Sequence, residues 1–335
     1  MNKTFIIAEI GQAHDGSLGL LHSYIDAVAQ TGVNAIKFQT HIAEAESSSY
    51  EPFRVNFSYE DKTRFDYWKR MEFSDLQWKG IKKHCEEKNL DFLSSPFSNM
   101  AVDLLESLDV SKFKIGSGEI NNFLMLEKIA KTGKDIILSS GMSSLFELDQ
   151  TINFLKPFGN KLSILQCTTK YPTAPEDIGL NIITKLKDIY TFPIGLSDHS
   201  GTIYPSLSAV TLGAEIIEIH VIFDKSMFGP DSKASLTIDE TRELVKGIRF
   251  IEKMRNSIID KNDTHKFKDL KLIFEKSLAV NKHLNKGHIL IFDDLEGKKP
   301  NAHGIDTREY QSIIGKKINC DLSKWAFLKK EHIDD

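Results

Sequence analysis

Lysine, glutamate and histidine occur inside runs of apolar residues that read as buried strands, and these residue types can bind anions, move protons or hold metals. A buried charge is costly unless it is paired, so such residues need partners inside the fold. Eight apolar runs each end in polar residues. In chain order, the ends carry Glu9; Lys37 and Gln39; Ser94 and Ser95; Lys114, Ser117 and Glu119; Ser139 and Ser140; Thr168 and Thr169; Ser197, Asp198 and His199; Glu218 and His220. This coincidence predicts one shared site.

The strand-end residues form two chemical sets. The first set offers ammonium groups, hydroxyls and glycine-rich turns, which suit a small phosphorylated acid. Its members are Lys37, Ser95, Lys114, Ser117 and Ser139. The second set is His199 and His220 with Glu9 nearby, which suits manganese, zinc or cobalt. A lone strand-end lysine is as often a structural ion-pair partner, and a lone strand histidine is more often a core residue, but eight such ends favour a phosphate-plus-metal enzyme.

The spacing of the apolar runs predicts the fold. The runs are 5–11, 35–40, 91–97, 112–118, 135–141, 162–168, 193–199 and 216–222. Amphipathic segments between them, such as 18–31, 74–89, 100–108 and 122–131, are long enough for crossover helices. Strand and helix alternating eight times indicate an α/β fold of the (β/α)8 TIM-barrel type. Such barrels place their chemistry at the carboxyl ends of the strands.

The chain of 335 residues is long enough for a barrel of roughly 250 residues and a small second domain. We predict a barrel domain at 1–256, a linker at 257–274 and a β-rich domain at 275–335. In that last domain, the segments 277–280, 289–292 and 313–318 suggest short strands. The segment 42–73 is long for a βα loop and rich in aromatic residues. It is either a lid over the substrate or a packed decoration.

Composition excludes several classes of protein. A formal charge of -4 without long single-sign blocks favours neither nucleic acid nor a membrane surface as partner. The first apolar run meets Glu9 before it reaches the length of a signal-peptide core. Three widely spaced cysteines without a CxxC pair argue against a disulfide framework and a cysteine zinc site. We therefore expect a cytoplasmic protein.

Eight ordered motifs resemble the sialic acid synthase family. They are AEIGQAHDGS at 8–17, IKFQTH at 36–41, SSPFS at 94–98, FKIGSGE at 113–119, ILSSGM at 137–142, QCTTKYPT at 166–173, GLSDHS at 195–200 and FGPDSKASL at 228–236. The C-terminal stretch, with SLAVNKHLNKGHIL and DDLEGKKPNAHGI, is similar to the antifreeze-like (SAF) domain that ends members of that family. The resemblance spans nearly the whole barrel.

The resemblance implies a transferase that condenses phosphoenolpyruvate with an open-chain amino sugar and releases phosphate. It implies that Lys37, Ser95, Lys114, Ser117 and Ser139 hold phosphoenolpyruvate, and that His199 and His220 bind a divalent metal, manganese first, with magnesium or cobalt as alternatives. The catalytic candidates are Glu9, Glu119 and Asp231. The sugar-binding candidates are Gln39, Thr169, Tyr171, Ser197 and Lys299. It also implies a domain-swapped homodimer, in which the antifreeze-like domain of one subunit closes the active site of the other.

Departures from the family pattern bear on the sugar. Ala13 stands where many members have asparagine, and Lys299 precedes Pro300 where arginine is common. A lysine cannot copy the planar fork of an arginine. Our hypothesis for the sugar is N-acetylmannosamine or a relative, such as a 6-deoxy diacetamido hexose leading to legionaminic or pseudaminic acid. Two other hypotheses are a Schiff-base aldolase using Lys37 or Lys114 and a non-catalytic carbohydrate-binding scaffold.

Overall fold

The structure is a computed structural model that describes residues 3–55, 57 and 59–334. The chain divides into two compact units, the first ending at Ser257 and the second beginning at Ile258. The first unit contains the segments that the sequence assigns to the barrel. Each unit is described by itself below.

Eight parallel strands form the sheet of the first unit. They are β1 (Phe5–Glu9), β2 (Ala35–Thr40), β3 (Asp91–Pro96), β4 (Lys112–Ile115), β5 (Asp135–Ser139), β6 (Leu162–Cys167), β7 (Ile194–Asp198) and β8 (Ile216–Ile222). The order is β3-β2-β1-β8-β7-β6-β5-β4, and β3 and β4 at its two ends lie in contact. The sheet is thus a nearly closed barrel, and the predicted (β/α)8 fold is confirmed.

Helices follow the strands around the outside of the barrel. They are α1 (Leu18–Ala29), α2 (Ala43–Glu46), α3 (Arg64–Met71), α4 (Asp75–Glu87), α5 (Asn99–Ser107), α6 (Phe123–Lys131), α7 (Leu145–Leu155), α8 (Leu180–Ile189), α9 (Tyr204–Thr211) and α10 (Ile238–Asn256). A two-residue strand, β9 (Leu236–Thr237), extends the pairing of β8. Within the described part of the chain, no helix has both the length and the apolar character needed to cross a membrane.

Local sequence explains where these elements start and why they are buried. All seven residues of β8 are buried, as expected for a parallel strand covered on both faces. Helix α4 begins with a capping box in which Ser74 and Gln77 bond each other's backbone N–H groups. Thr237 and Glu240 do the same for α10. Such boxes satisfy the free N–H groups of the first helical turn and fix the point where each helix leaves its loop.

The second unit is small and only partly β-structured. Strands β10 (Ser277–Val280) and β11 (Leu295–Lys298) pair antiparallel, and its helices are α11 (Lys268–Phe274) and α12 (Tyr310–Ile313). The strand predicted at 277–280 is confirmed. The strands predicted at 289–292 and 313–318 are wrong. These segments contribute isolated bridges such as Ile289 to Lys317, while Phe292 begins a 3-10 turn and Ile313 ends α12. Residues 268–274 of the predicted linker are helical rather than irregular.

Candidate active site

The register of the parallel strands brings ionisable residues of neighbouring strands to one level. Glu9 at the end of β1 lies beside Lys37 of β2 and beside His220 of β8 on its other side. Ser197 of β7 pairs in register with Glu218 of β8. Since side chains along a strand alternate between its two faces, Glu218 and His220 share one face. These groups therefore gather at the carboxyl ends of the strands.

Two buried lysines form the centre of this cluster. The Lys114 ammonium group donates to Ser139 Oγ at 2.7 Å and lies 3.3 Å from Glu218 Oε1. The Lys37 Nζ lies 2.5 Å from Glu9 Oε2 and 3.4 Å from Ser95 Oγ. The two lysines are 3% and 2% exposed, for Lys37 and Lys114 respectively, so each ammonium group depends on these partners. We call Lys37, Ser95, Lys114, Ser139 and Glu218 the lysine cradle.

The surroundings of the two lysines shift their pKa values in opposite directions. Burial disfavours the charged form of Lys37, but the carboxylates of Glu218 and Glu9 raise its pKa above the usual value. Burial lowers the pKa of Lys114; Glu218 opposes this, and the charge of Lys37 adds to the lowering. Burial also disfavours a charged Glu218, yet Lys114 and Lys37 lower its pKa. Both oxygens of Glu218 therefore face cations, since its other oxygen lies 3.9 Å from Lys37 Nζ.

A backbone turn with a side-chain hydroxyl lies next to the cradle. The N–H of Gly141 donates to Ser117 Oγ at 3.0 Å, and the Ser117 hydroxyl donates to Cys167 Sγ at 3.6 Å. A Cβ atom on residue 141 would come within 2.7 Å of Ser117 Oγ and would also clash with the Thr169 hydroxyl. The close approach of this backbone to polar side chains therefore requires glycine.

Two imidazoles and a tyrosine form a second cluster beside Glu9. The rings of His199 and His220 have centroids 5.2 Å apart. The ring of Tyr171 stacks on His199 at 4.0 Å, and its hydroxyl donates to His199 Nε2 at 3.1 Å. Asp231 Oδ2 lies 3.9 Å from His220 Nδ1. We call His199, His220, Tyr171 and Asp231 the imidazole cluster.

The donor chemistry of the imidazole cluster fits a divalent ion. His199 Nδ1–H donates to the backbone oxygen of Thr168 at 2.8 Å, which leaves a lone pair on Nε2 and matches the arrangement that orients metal-binding histidines. Burial, and next the neighbouring His220, lower the pKa of His199 to about 3, so its ring is neutral. The described side chains contain no ready-made group of three His, Cys, Asp or Glu donors. The fit therefore rests on the two imidazoles, with Asp231 as the nearest carboxylate.

A cavity of about 370 Å³ opens beside these clusters. Its wall includes seven of the predicted site residues: Gln39, Ser117, Glu119, Thr169, Tyr171, His220 and Asp231. Phe53, Phe57, Tyr67 and Trp68 of the segment 42–73, which we call the lid, also line it, whereas Tyr50 is 92% exposed. Residues 56 and 58 of the lid are outside the described residues. The lid packs its own apolar cluster and also borders the cavity; that it covers a substrate stays a prediction.

The remaining predicted residues do not line the cavity directly. Six of them are buried next to it: Glu9, Lys37, Ser95, Lys114, Ser139 and His199. Glu9 accepts a hydrogen bond from the cavity residue Gln39 at 2.8 Å. Gln39 therefore connects the cavity wall to the buried Glu9. The Ser197 hydroxyl donates to Glu218 at 3.0 Å, deep behind the wall. Lys299 belongs to the second unit, and its role stays a prediction, as do the individual roles of the others.

Two residues of the site received no role from sequence. Glu218 balances both lysines, and its position two residues before His220 on one strand was the signal that both face the barrel interior. Arg54 donates to Asp231 Oδ1 at 2.6 Å from within the lid. Nothing in the local pattern distinguishes Arg54 from a solvated surface arginine, since its partners are far away in the chain.

An eight-stranded parallel barrel with ionisable residues gathered at the carboxyl ends of its strands is the architecture of barrel enzymes. The NeuB family model matches residues 24–260. The chain is 38% identical over 322 residues to N,N'-diacetyllegionaminic acid synthase of Campylobacter jejuni, covering 94% of this chain and 96% of that one. It is 33% identical over 345 residues to N-acetylneuraminate-9-phosphate synthase of Homo sapiens, covering 99% and 93% of the two chains.

Among solved structures, the N-acetylneuraminic acid (sialic acid) synthetase of Leptospira borgpetersenii superposes with a TM-score of 0.71 at 32% identity, covering 81% of this chain and 91% of that chain. The family match and the relatives cover the strands that carry both clusters. The chain therefore belongs to the NeuB family.

Proposed function

We propose that this chain is a nonulosonic (sialic-acid-type) acid synthase, which condenses phosphoenolpyruvate with an open-chain, N-acetylmannosamine-like sugar and releases phosphate. The observation that carries the proposal is the pairing of two buried, hydroxyl-bonded lysines with two adjacent imidazoles at one barrel mouth, in a NeuB-family chain. The alternative sugar is a 6-deoxy diacetamido hexose, which gives legionaminic or pseudaminic acid.

The lysine cradle suits phosphoenolpyruvate. Without an anion, Lys37 and Lys114 are balanced by Glu9 and Glu218, so the buried charges sum to zero. Phosphoenolpyruvate is a trianion, and it competes for the ammonium groups and for the hydroxyls of Ser95 and Ser139 as charge-assisted hydrogen-bond partners. Gly141 and Ser117 provide a further N–H and hydroxyl beside the cradle. Together these donors fix the methylene carbon of phosphoenolpyruvate in one orientation.

The reaction needs one new carbon–carbon bond and one hydrolysed enol phosphate. The methylene carbon attacks the aldehyde carbon of the sugar, water adds to the former enol carbon, and the tetrahedral intermediate collapses with loss of phosphate. Proton carriers are needed for the water and for the alkoxide. Glu9 lies at the junction of both clusters, hydrogen-bonded to Gln39, and burial raises the pKa of Glu119 on the cavity wall. These two carboxyl groups, with Asp231, are our catalytic candidates.

His199 and His220 would hold the divalent ion, with manganese as our first choice and magnesium or cobalt as alternatives. When bound, this ion supplies Lewis-acid polarisation of the aldehyde oxygen. The Thr168 carbonyl keeps the proton of His199 on Nδ1 and thereby leaves Nε2 available as a ligand. The Tyr171 hydroxyl, which bonds to that nitrogen at 3.1 Å, is a candidate partner of the sugar beside the ion.

The outer cavity suits a sugar with both hydroxyl and acyl groups. Thr169, Tyr171 and Asp231 supply hydroxyl and carboxylate partners, while Phe53 and Phe57 supply apolar surface. A volume of about 370 Å³ is within the usual range of small-ligand pockets, roughly 300 to 1,000 Å³. Assignments of Gln39, Ser197 and Lys299 to the sugar belong to the same proposal.

The second unit is proposed to be an antifreeze-like domain, and the protein a cytoplasmic homodimer. Supporting the dimer, Leu270, Leu272, Ile273 and Phe274 of α11 are each more than 40% exposed, and exposed apolar side chains on one short helix are typical of a surface that binds a partner. Light scattering on the purified chain checks this, since a monomeric mass over the whole concentration range contradicts it.

The test of the function is phosphate release from phosphoenolpyruvate in the presence of manganese and a panel of open-chain amino sugars, with mass spectrometry of the product. We expect release that depends on the sugar and a product that carries three added carbons. Lys37→Ala is the matched negative control. Absence of release with every sugar contradicts the proposal, and the sugar with the highest kcat/KM decides between the two alternatives.

A further inference from the structure

One arginine of the lid, Arg54, contacts two residues of the imidazole cluster that lie on loops of the barrel, Asp231 and Tyr171. Its guanidinium donates to Asp231 Oδ1 at 2.6 Å and lies over the ring of Tyr171, 4.2 Å from the ring centroid. Asp231 follows β8, and Tyr171 follows β6, so a single side chain joins the lid to two separate loops of the barrel. The stack on Tyr171 is of the kind in which a planar guanidinium is favoured over an ammonium group.

The contact with Tyr171 continues to the candidate metal ligands. Tyr171 lies between the guanidinium of Arg54 on one face and the imidazole of His199 on the other, which stacks at 4.0 Å. Its edge meets the ring of His220, with centroids 5.7 Å apart. Arg54 thus fixes the orientation of the phenol, and through Asp231 it fixes the carboxylate that faces His220.

Three other cations of the lid pair elsewhere. Arg64 pairs with Glu51 inside the lid at 3.0 Å, and Lys69 pairs with Glu72 inside the lid at 3.1 Å. Arg70 pairs with Asp61 and with Asp15 of the loop before α1, away from the imidazole cluster. Of these ion pairs of the lid, the one between Arg54 and Asp231 reaches the imidazole cluster. An apolar contact also joins Phe57 of the lid to Phe228 of the loop after β8, with ring centroids 5.4 Å apart.

The lysine cradle has a separate set of partners. Lys114 bonds to Ser139 and Glu218, and Lys37 bonds to Glu9. The hydrogen bonds and ring contact of Arg54 go to Asp231 and Tyr171, which line the outer cavity. Loss of Arg54 should for this reason disturb one end of the site and leave the other in place.

We propose that Arg54 is a positioning residue: it latches the lid onto the barrel by holding Asp231 and Tyr171, and it thereby sets the affinity for the sugar but not for phosphoenolpyruvate. The effect on sugar affinity rests on the proposed function. The attachment of the lid to the barrel by Arg54 does not depend on it. Arg54 acts through the two side chains it holds rather than on the reacting atoms.

The test compares Arg54→Ala and Arg54→Lys with Lys69→Ala, which removes a lid cation that bonds only within the lid. In steady-state kinetics with both substrates varied, we expect Arg54→Ala to raise the KM for the sugar by about tenfold or more, with the KM for phosphoenolpyruvate within about twofold. Arg54→Lys keeps the charge but not the planar stack, so it should give an intermediate value. Lys69→Ala should behave like the wild type.

A second readout does not depend on turnover. Hydrogen exchange of the backbone amides in 42–73 should be faster in Arg54→Ala than in the wild type and unchanged in Lys69→Ala, at equal melting temperatures. Equal rises of both KM values, or unchanged exchange in the lid, overturn the latch. If the wild type releases no phosphate with any sugar, the proposed function fails, and the exchange experiment alone then decides on the latch. If Arg54→Ala does not fold, Arg54→Lys takes its place in both measurements.

Discussion

The carboxylate of Glu218 lies 3.3 Å from the ammonium group of Lys114, and both side chains are almost wholly buried. Glu218 thus provides the negative charge that partly compensates the charges of two buried lysines, Lys37 and Lys114. An anion that enters the cradle can take over this role of Glu218, because it offers the same lysines a new set of negative oxygens. The two lysines with Glu9 and Glu218 therefore sum to zero charge, and we propose that an incoming anion displaces Glu218 from the lysines.

Replacing Glu218 by glutamine should destabilise the protein and make it depend on its ligand. The variant leaves two buried ammonium groups with Glu9 as their nearest carboxylate, and breaking a buried pair costs about 3 to 5 kcal/mol. Phosphoenolpyruvate should then raise the melting temperature of Glu218→Gln more than that of the wild type. Glu127→Gln removes an exposed helix pair and serves as the control, with a change of about 0.5 kcal/mol or less. Equal ligand-induced shifts in the two proteins would refute the charge-compensation argument.

The reactivity of Lys114 distinguishes the proposed synthase from a Schiff-base aldolase. Burial and the charge of Lys37 lower its pKa against the opposing effect of Glu218, and a lowered pKa is common in lysines that form imines. In this protein, however, the amine is engaged by Ser139 and Glu218. Borohydride treatment in the presence of pyruvate should therefore leave the protein mass unchanged. A reduced adduct on the peptide that contains Lys114 would favour the aldolase.

Removal of divalent ions should abolish turnover, and manganese should restore it. The imidazoles of His199 and His220, with ring centroids 5.2 Å apart, are the proposed ligands, so His220→Ala should lose both bound manganese and phosphate release. His265→Ala, at an exposed position of the second unit, is the matched control and should retain both. Manganese content by elemental analysis and phosphate release are measured on the same samples. Full turnover in chelator-treated wild type contradicts the metal assignment.

Stability should fall as the pH drops below 6.5 because of His14. Burial, with smaller effects of His41 and Arg70, lowers the pKa of His14 from 6.5 to about 3, so the unfolded chain binds a proton that the folded chain refuses. The stabilising effect is complete above pH 6.5 and declines toward pH 3, by about 1.4 kcal/mol for each pH unit. Urea unfolding at pH 7.5 and 5.5 should show a smaller decrease for His14→Gln than for the wild type. An identical decrease in both proteins contradicts the assignment.

The sequence was sufficient for the barrel because its strands are buried on both faces. Apolar runs such as 35–40 and 216–222 coincide with β2 and β8, and parallel pairing then brings their polar ends together without further information. The same argument predicted that His199 and His220 lie near Glu9, whereas the contact between Lys37 and Glu9 comes from the structure. In the second unit, the strand predicted at 277–280 formed, but isolated bridges stand in place of the strands predicted at 289–292 and 313–318, because these short apolar segments pack without forming ladders.

The sequence pattern could not predict contacts between distant parts of the chain. Arg54 and Asp231 are 177 residues apart, and no periodicity relates them. Ser197 is a sugar-binding candidate from the family resemblance, and its hydroxyl donates to Glu218; its role toward the sugar stays a prediction. Strand-end position thus predicts that a residue belongs to the site, whereas its partner depends on side-chain geometry.

Crystallography with manganese and phosphoenolpyruvate tests the account most directly. Data collected at a wavelength where manganese scatters anomalously should show one peak within ligand distance of both His199 and His220. Density for phosphoenolpyruvate should lie in the same cavity, with its anionic oxygens within hydrogen-bond reach of Lys37 and Lys114. A manganese peak elsewhere in the barrel, or phosphoenolpyruvate bound away from the two lysines, would contradict the account.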